Sequence, residues 1–120
     1  MKLNEFYDSI GGGYESVKLR LPKDELIEKF VFRFLSEPSY GDLRQSLEEE
    51  KYVEAFRAAH SLKGVCANLA FQRLETSFGS LTELLRIENE IDKAAVEQVF
   101  RQVTKDYTEV MDAVRNLVNA

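Results

Sequence analysis

The sequence predicts an all-α protein: an up-and-down antiparallel four-helix bundle with short N-terminal helices. Apolar residues recur at spacings of three and four along most of the chain, and no segment alternates apolar and polar residues for long. The two prolines, Pro22 and Pro38, stand where helices are expected to begin or end. Short connections between long amphipathic segments favour antiparallel neighbours, as in a bundle.

The predicted helices follow in chain order, each with its own signal. Short helices at 3–10 and 14–19 are separated by the glycine run at 11–13, which we interpret as a hinge. Pro22 opens a helix at 22–37, and a shorter helix ends near residue 48. Longer helices with sustained apolar spacing follow at 52–70, 71–87 and 92–120. The predicted inner face of the helix at 22–37 carries Leu26, Phe30, Phe34 and Leu35, with Ile27 and Val31 beside it.

Length and composition indicate one domain over residues 1–120. The chain has 120 residues, of which 44% are hydrophobic, and this suffices for a single core. We expect residues 1–21 to form the short N-terminal helices and the glycine-rich turn, and residues 22–120 to form the bundle. Because four helices can close their own core, we expect a monomer.

Charge and cysteine content argue against several classes of function. With 21 acidic and 16 basic residues the net charge is −5, which argues against nucleic acid as a partner. The one cysteine, Cys66, allows no intramolecular disulfide and favours a reducing compartment. No apolar run has the length of a signal peptide or a membrane span. We therefore expect a cytoplasmic protein that does not bind membranes.

The only histidine, His60, is predicted to face solvent. Each residue of a helix advances by about 100°, so the position of His60 relative to the apolar residues can be worked out. The predicted buried stripe, centred on Leu62, contains Ala55, Ala58, Ala59, Val65, Cys66 and Leu69. His60 falls about 160° from Leu62, nearly opposite. It is therefore not predicted to be a core histidine.

Small residues share the predicted solvent side with His60. Gly64 stands in the middle of the helix, where it costs about 1 kcal/mol relative to alanine. Ala67 follows one turn later. Together they remove steric bulk beside the imidazole, which indicates that a partner approaches closely.

Apolar and basic residues complete this predicted surface. Val53 and Phe56 add apolar area on the side that a monomeric helix usually keeps polar, which predicts a docking patch. Lys63 and Arg57 flank the imidazole on opposite sides. Their charges would partly neutralise an anion attached to the ring.

The segment "AHSLKGVCANLAF" closely resembles the signature of histidine-containing phosphotransfer (HPt) domains. That pattern runs alanine, histidine, any residue, leucine, lysine, glycine, then small and apolar residues. The "AF..AH" approach and the "LTELLR" helix are also similar to that family, so the resemblance covers most of the chain. Ala67 and Ala70 stand where many members have glycine, and alanine is small enough to keep the approach open.

The resemblance implies a phosphocarrier rather than an autonomous enzyme. His60 would be the phosphorylated residue, Lys63 the cation beside the phosphoryl group, and Gly64 the clearance for the partner. A neutral imidazole can attack phosphorus without a separate base. The donor would be a phospho-aspartate on a response-regulator receiver domain, with a hybrid histidine kinase upstream and another receiver as acceptor. The receiver would bring magnesium, and no cofactor is expected on this chain.

One further position is assigned by resemblance alone. Some family members carry a polar side chain, often glutamine, on the adjacent helix facing the histidine. Thr82 falls near that position, which makes it a candidate partner-binding residue.

A chain that starts at Met1 and ends after one bundle is expected for a free-standing carrier, although a domain excised from a hybrid kinase would look the same.

Three other functions remain for comparison. A helical adaptor that binds proteins without phosphotransfer would keep the bundle and the docking patch, and it stays open as the alternative. An enzyme would need a second reactive group beside His60, but Cys66 lies about 120° away on the buried stripe. A metal site in a bundle needs several inward ligands, and the single histidine faces outward.

Overall fold

The computed structural model describes residues 1–88 and 90–119, and within them the secondary structure is entirely helical. A short 3₁₀ segment, Phe34–Ser36, extends the third helix. The prediction of an all-α protein is confirmed. The helices are α1 (Leu3–Ser9), α2 (Tyr14–Arg20), α3 (Asp24–Arg33), α4 (Ser39–Glu48), α5 (Tyr52–Leu69), α6 (Gln72–Leu84) and α7 (Lys93–Val118).

Helices α4 to α7 form the four-helix bundle. Each packs against the next one along the chain, α4 on α5, α5 on α6, and α6 on α7. Because the α4–α5 and α5–α6 connections are only a few residues long, these neighbours run antiparallel, as predicted. Helix α1 packs on α2 and on α7, and α2 packs on α3. None of the described helices has both the length and the apolar content to cross a membrane.

Helix α3 differs from its predicted bounds and inner face. It begins at Asp24 rather than Pro22, and its buried residues are Ile27 and Val31, followed by Phe34 in the 3₁₀ segment. Leu26, predicted to be inside, is 38% exposed. The segment offers two overlapping apolar stripes, so the sequence alone does not determine which one faces the bundle.

Helix α6 is also shorter than predicted, because it ends at Leu84. The residue predicted to end it, Ile87, is 81% exposed. Ile87 falls about 120° from the inner stripe of α6, so a longer helix would not bury it. That inner stripe is as predicted, with Leu74, Phe78, Leu81 and Leu85 all buried. Residue 89, in the predicted break "RIENEID", and residue 120, the predicted end of the last helix, lie outside the described residues.

The glycine run predicted as a hinge is a packed turn against the C-terminal end of α5. Helix α5 ends with Ala70 in the left-handed conformation (φ 57°), while the amide of Phe71 donates to the carbonyl of Cys66. Gly13, at φ 123°, lies so close that a Cβ atom there would overlap the carbonyl oxygen of Ala70. The buried hydroxyl of Tyr7 donates to the carbonyl of Leu69 at 2.7 Å. The N-terminal helices thus fix the end of the helix that carries His60.

Candidate functional site

Helix α5 places His60 on its solvent side, as the sequence predicts. His60 is exposed, while the opposite face of α5 is buried. The fully buried members of the stripe are Ala55, Ala59, Leu62, Cys66 and Leu69, with Ala58 and Val65 half-buried beside them. Burial raises the pKa of the Cys66 thiol well above its ordinary value, so the sulfur stays protonated and unreactive.

The His60 imidazole contacts one aromatic ring and leaves its nitrogens accessible. The ring centroids of His60 and Phe56 are 5.8 Å apart and their planes differ by 5°. Within residues 1–88 and 90–119, neither imidazole nitrogen has a hydrogen-bond partner. Both nitrogens can therefore be approached by an incoming group.

Arg86, which follows the end of α6, contacts the ring of Phe56. Its guanidinium carbon lies 5.9 Å from the centre of the Phe56 ring, within the range of a cation–π contact. Two hydrogen bonds of 2.9 Å join the same guanidinium to the carboxylate of Glu83. These bonds to Arg86, with a further contribution from the charge of Lys63, hold the pKa of the Glu83 carboxyl below its usual range.

Lys63 lies half-buried along α6, beside Gly79. A Cβ atom at Gly79 would lie 3.5 Å from Cε of Lys63 and 3.9 Å from its ammonium nitrogen. In the described part of the chain, Lys63 makes no salt bridge or hydrogen bond. Its charge acts on the Glu83 carboxylate, and the residue follows His60 by three positions on α5.

Gly64 leaves open space on the same side of α5. No atom lies within 4 Å of the place a Cβ would occupy there, so internal packing does not require glycine. Val53 is 43% exposed and Arg57 is exposed, so both stand on the accessible surface. Ala67 is half-buried, and its carbonyl accepts a hydrogen bond from the guanidinium of Arg20. We call Val53, Phe56, Arg57, Gly64 and Ala67, with His60 and Lys63, the histidine face.

Thr82 does not belong to this face, and its predicted role is wrong. The residue is 1% exposed, and its hydroxyl donates to the carbonyl of Phe78 at 2.7 Å. A short hydroxyl side chain readily bonds back to the carbonyl one turn earlier, and here that bond satisfies the buried Thr82 hydroxyl. The α6 residues beside Lys63 are Gly79 and Glu83 instead.

Glu83 and Arg86 lie beside the histidine face, and the sequence reasoning did not single them out. Their spacing of three on the "LTELLR" segment is a signal for an ion pair on one helix face. The contact of Arg86 with Phe56 joins residues 30 positions apart, and no spacing pattern in the sequence predicts it.

Among the described residues, no three histidine, cysteine or acidic side chains are grouped as metal ligands.

The sequence matches a known protein family. The family model described as the Hpt domain matches residues 31–118, well over half of the chain. The match contains α4 to α7 and the whole histidine face. No curated protein and no solved structure matches the chain.

Proposed function

Because the chain belongs to the Hpt domain family, whose members carry phosphoryl groups on histidine in phosphorelays, we propose that His60 is the phosphorylated residue of this protein. The observation that carries the proposal is the exposed imidazole, with both nitrogens unpartnered in the described structure. The family motif places Lys63 and Gly64 three and four residues after it. A carrier must expose its acceptor atom to two successive partners, and the histidine face does so.

The proposed reaction is a reversible transfer between aspartate and histidine. The lone pair of one imidazole nitrogen attacks the phosphorus of an aspartyl phosphate on a receiver domain. The bond from phosphorus to the aspartate oxygen breaks, and the carboxylate leaves with the electron pair. The other imidazole nitrogen, which carried the proton, can release it to solvent. Reversal with a second receiver regenerates the free imidazole.

The chain's own contribution is position and charge, on which phosphoryl transfer mainly depends. Lys63 stabilises the phosphoryl oxygens, since its ammonium makes no ion pair within the described residues. Gly64 leaves room for the receiver, because the space beside it is open. Magnesium would be supplied by the receiver rather than by this chain.

The proposed partners are response-regulator receivers and a hybrid histidine kinase. Val53, Phe56, Arg57 and Ala67 would form the contact surface around the histidine. The carrier would act as a monomer, because four helices can close their own core. It would act in the cytoplasm, since the single cysteine favours a reducing compartment. A helical adaptor without phosphotransfer is the alternative, and it would use the same surface but would not need His60.

The test is transfer from several radiolabelled phospho-receivers to the purified protein. We expect acid-labile, base-stable label on the wild type and none on His60→Gln. Circular dichroism melts of both proteins are the control, and we expect them to agree because His60 is exposed. If the folded wild type takes no label from any receiver, the adaptor is the better explanation.

A further inference from the structure

Phe56 and His60 form an aromatic pair one turn apart on α5. Their centroid distance of 5.8 Å and near-parallel planes are within the range of stacked rings. Residues separated by four positions lie on the same helix face, so the backbone of α5 itself brings the two rings together. The ring of Phe56 is half-buried and packs against the core, whereas His60 is exposed.

The Phe56 ring is in turn held from the end of α6. Arg86 lies over the ring with its guanidinium carbon 5.9 Å from the centroid. Because two hydrogen bonds fix that guanidinium to Glu83, its position is set by α6. Phe56 therefore contacts the His60 imidazole on its own helix and the Arg86 guanidinium beside the end of α6.

A ring contact suits a nucleophilic imidazole better than a hydrogen bond would. An exposed side chain without partners rotates among several rotamers, and transfer needs a nitrogen lone pair directed at phosphorus. A hydrogen bond to the ring would restrict it but would occupy one of its two nitrogens. Stacking on Phe56 restricts the ring while both nitrogens stay accessible.

We propose that Phe56 is a positioning residue that orients the His60 imidazole for phosphoryl transfer, and that Arg86 holds Phe56 in place. This role rests on the proposed phosphocarrier function and is additional to the contact role proposed for Phe56 above. A docking residue changes the affinity for the receiver. A positioning residue changes the rate within the complex.

Two substitutions separate these roles. Phe56→Leu keeps apolar surface for docking but removes the ring, and Phe56→Tyr keeps the ring. Single-turnover transfer is measured over a range of phospho-receiver concentrations. We expect Phe56→Leu to lower the maximal rate about tenfold with an unchanged half-saturating concentration, and Phe56→Tyr to retain most of the rate. Phe32→Leu, which removes a half-buried ring from α3, is the control.

Nuclear magnetic resonance gives a readout that needs no receiver. Since His60 is the only histidine, its two imidazole C–H signals are unambiguous. We expect the Phe56 ring to shift these signals in the wild type, and the tyrosine ring to shift them in Phe56→Tyr. The ring-current shift should be absent in Phe56→Leu.

Arg86→Gln should lower the maximal transfer rate less than Phe56→Leu does. Arg115→Gln, which breaks a similar pair with Asp112 on α7, should leave that rate unchanged.

Three results would overturn the positioning role. In the first, Phe56→Leu raises the half-saturating concentration and leaves the maximal rate unchanged, which makes Phe56 a docking residue. In the second, the imidazole signals of Phe56→Leu and the wild type coincide, so no stack exists. In the third, the wild type takes no label, which removes the proposed function itself, and the imidazole signals then show whether the stack exists without it.

Discussion

We propose that Lys63 contributes charge to the site, and among the described residues it forms no ion pair. We predict that Lys63→Gln lowers the transfer rate about ten- to a hundredfold, because one charge that stabilises the phosphoryl oxygens is lost. The melting temperature should hardly change, since within the described residues Lys63 forms no salt bridge. Lys63→Arg keeps the charge and should retain more of the rate. Equal transfer rates for Lys63→Gln and the wild type would contradict the assignment.

Gly64 can be tested against a matched glycine on another helix. Both Gly64 in α5 and Gly41 in α4 have no atom within 4 Å of a Cβ position. Changing either to alanine should therefore raise the free energy of unfolding, by up to about 1 kcal/mol. A glutamine at position 64 should weaken binding to a phospho-receiver, and a glutamine at position 41 should not.

Receiver binding by both glutamine variants can be followed by titration calorimetry, and unfolding by thermal melts. Equal affinities for Gly64→Gln and Gly41→Gln would show that no partner approaches Gly64 closely. The clearance proposed for this residue would then be wrong.

The individual site residues were predictable to different degrees. The facing of His60 follows from the sequence because the buried stripe of α5 is continuous and its opposite side carries glycine and charge. Thr82 could not be placed the same way, since the hydrogen bond of its hydroxyl to Phe78 decides where the side chain points. The contact between Arg86 and Phe56 depends on how two helices pack, which one segment does not encode.

At the scale of elements, the glycine turn before α2 should be essential for stability. Gly13→Ala combines an unfavourable φ of 123° with overlap of Cβ and the Ala70 carbonyl, so we expect a loss of about 2 kcal/mol or more. Gly12→Ala is the control, because φ is 97° there but the nearest atom is 4.0 Å from the Cβ position. Urea unfolding of both variants measures the difference. Equal stabilities would contradict the packed turn.

The helices themselves were predicted best where one apolar stripe dominates. The bounds of α5 and the inner stripe of α6 agree with the structure. The inner face of α3 was predicted only in part, because its sequence carries two stripes. Phe34 is buried as predicted and so are the flanking Ile27 and Val31, whereas Leu26 is 38% exposed. The glycine run was interpreted as a hinge because the sequence does not show its contact with Ala70, which lies far away along the chain.

At the scale of the whole molecule, surface ion pairs make stability depend on pH. Four carboxyls have a pKa below the ordinary range because they accept hydrogen bonds from lysine or arginine: Asp24, Glu49, Glu50 and Glu83. Their contribution is complete above the unfolded pKa of about 4 and is lost as the pH falls through the lower folded values. The melting temperature should thus fall on acidification below about pH 4.

Salt distinguishes this effect from general acid unfolding. Because the pairs are exposed, we expect a small contribution that added salt weakens near neutral pH. Asp24→Asn, which removes the partner of Lys18 and Tyr14, should reduce the acid dependence. A melting temperature that is independent of pH between about 6 and 3 would show that these pairs contribute nothing to folding.

The most direct test of the account is to locate the phosphoryl group after transfer. The wild type would be incubated with a phospho-receiver, digested under alkaline conditions that preserve phosphohistidine, and mapped by mass spectrometry. The account predicts one phosphoryl group, on the peptide that contains His60, and none after His60→Gln. Phosphate on another residue, or no phosphate on a folded protein that still binds the receiver, would contradict it.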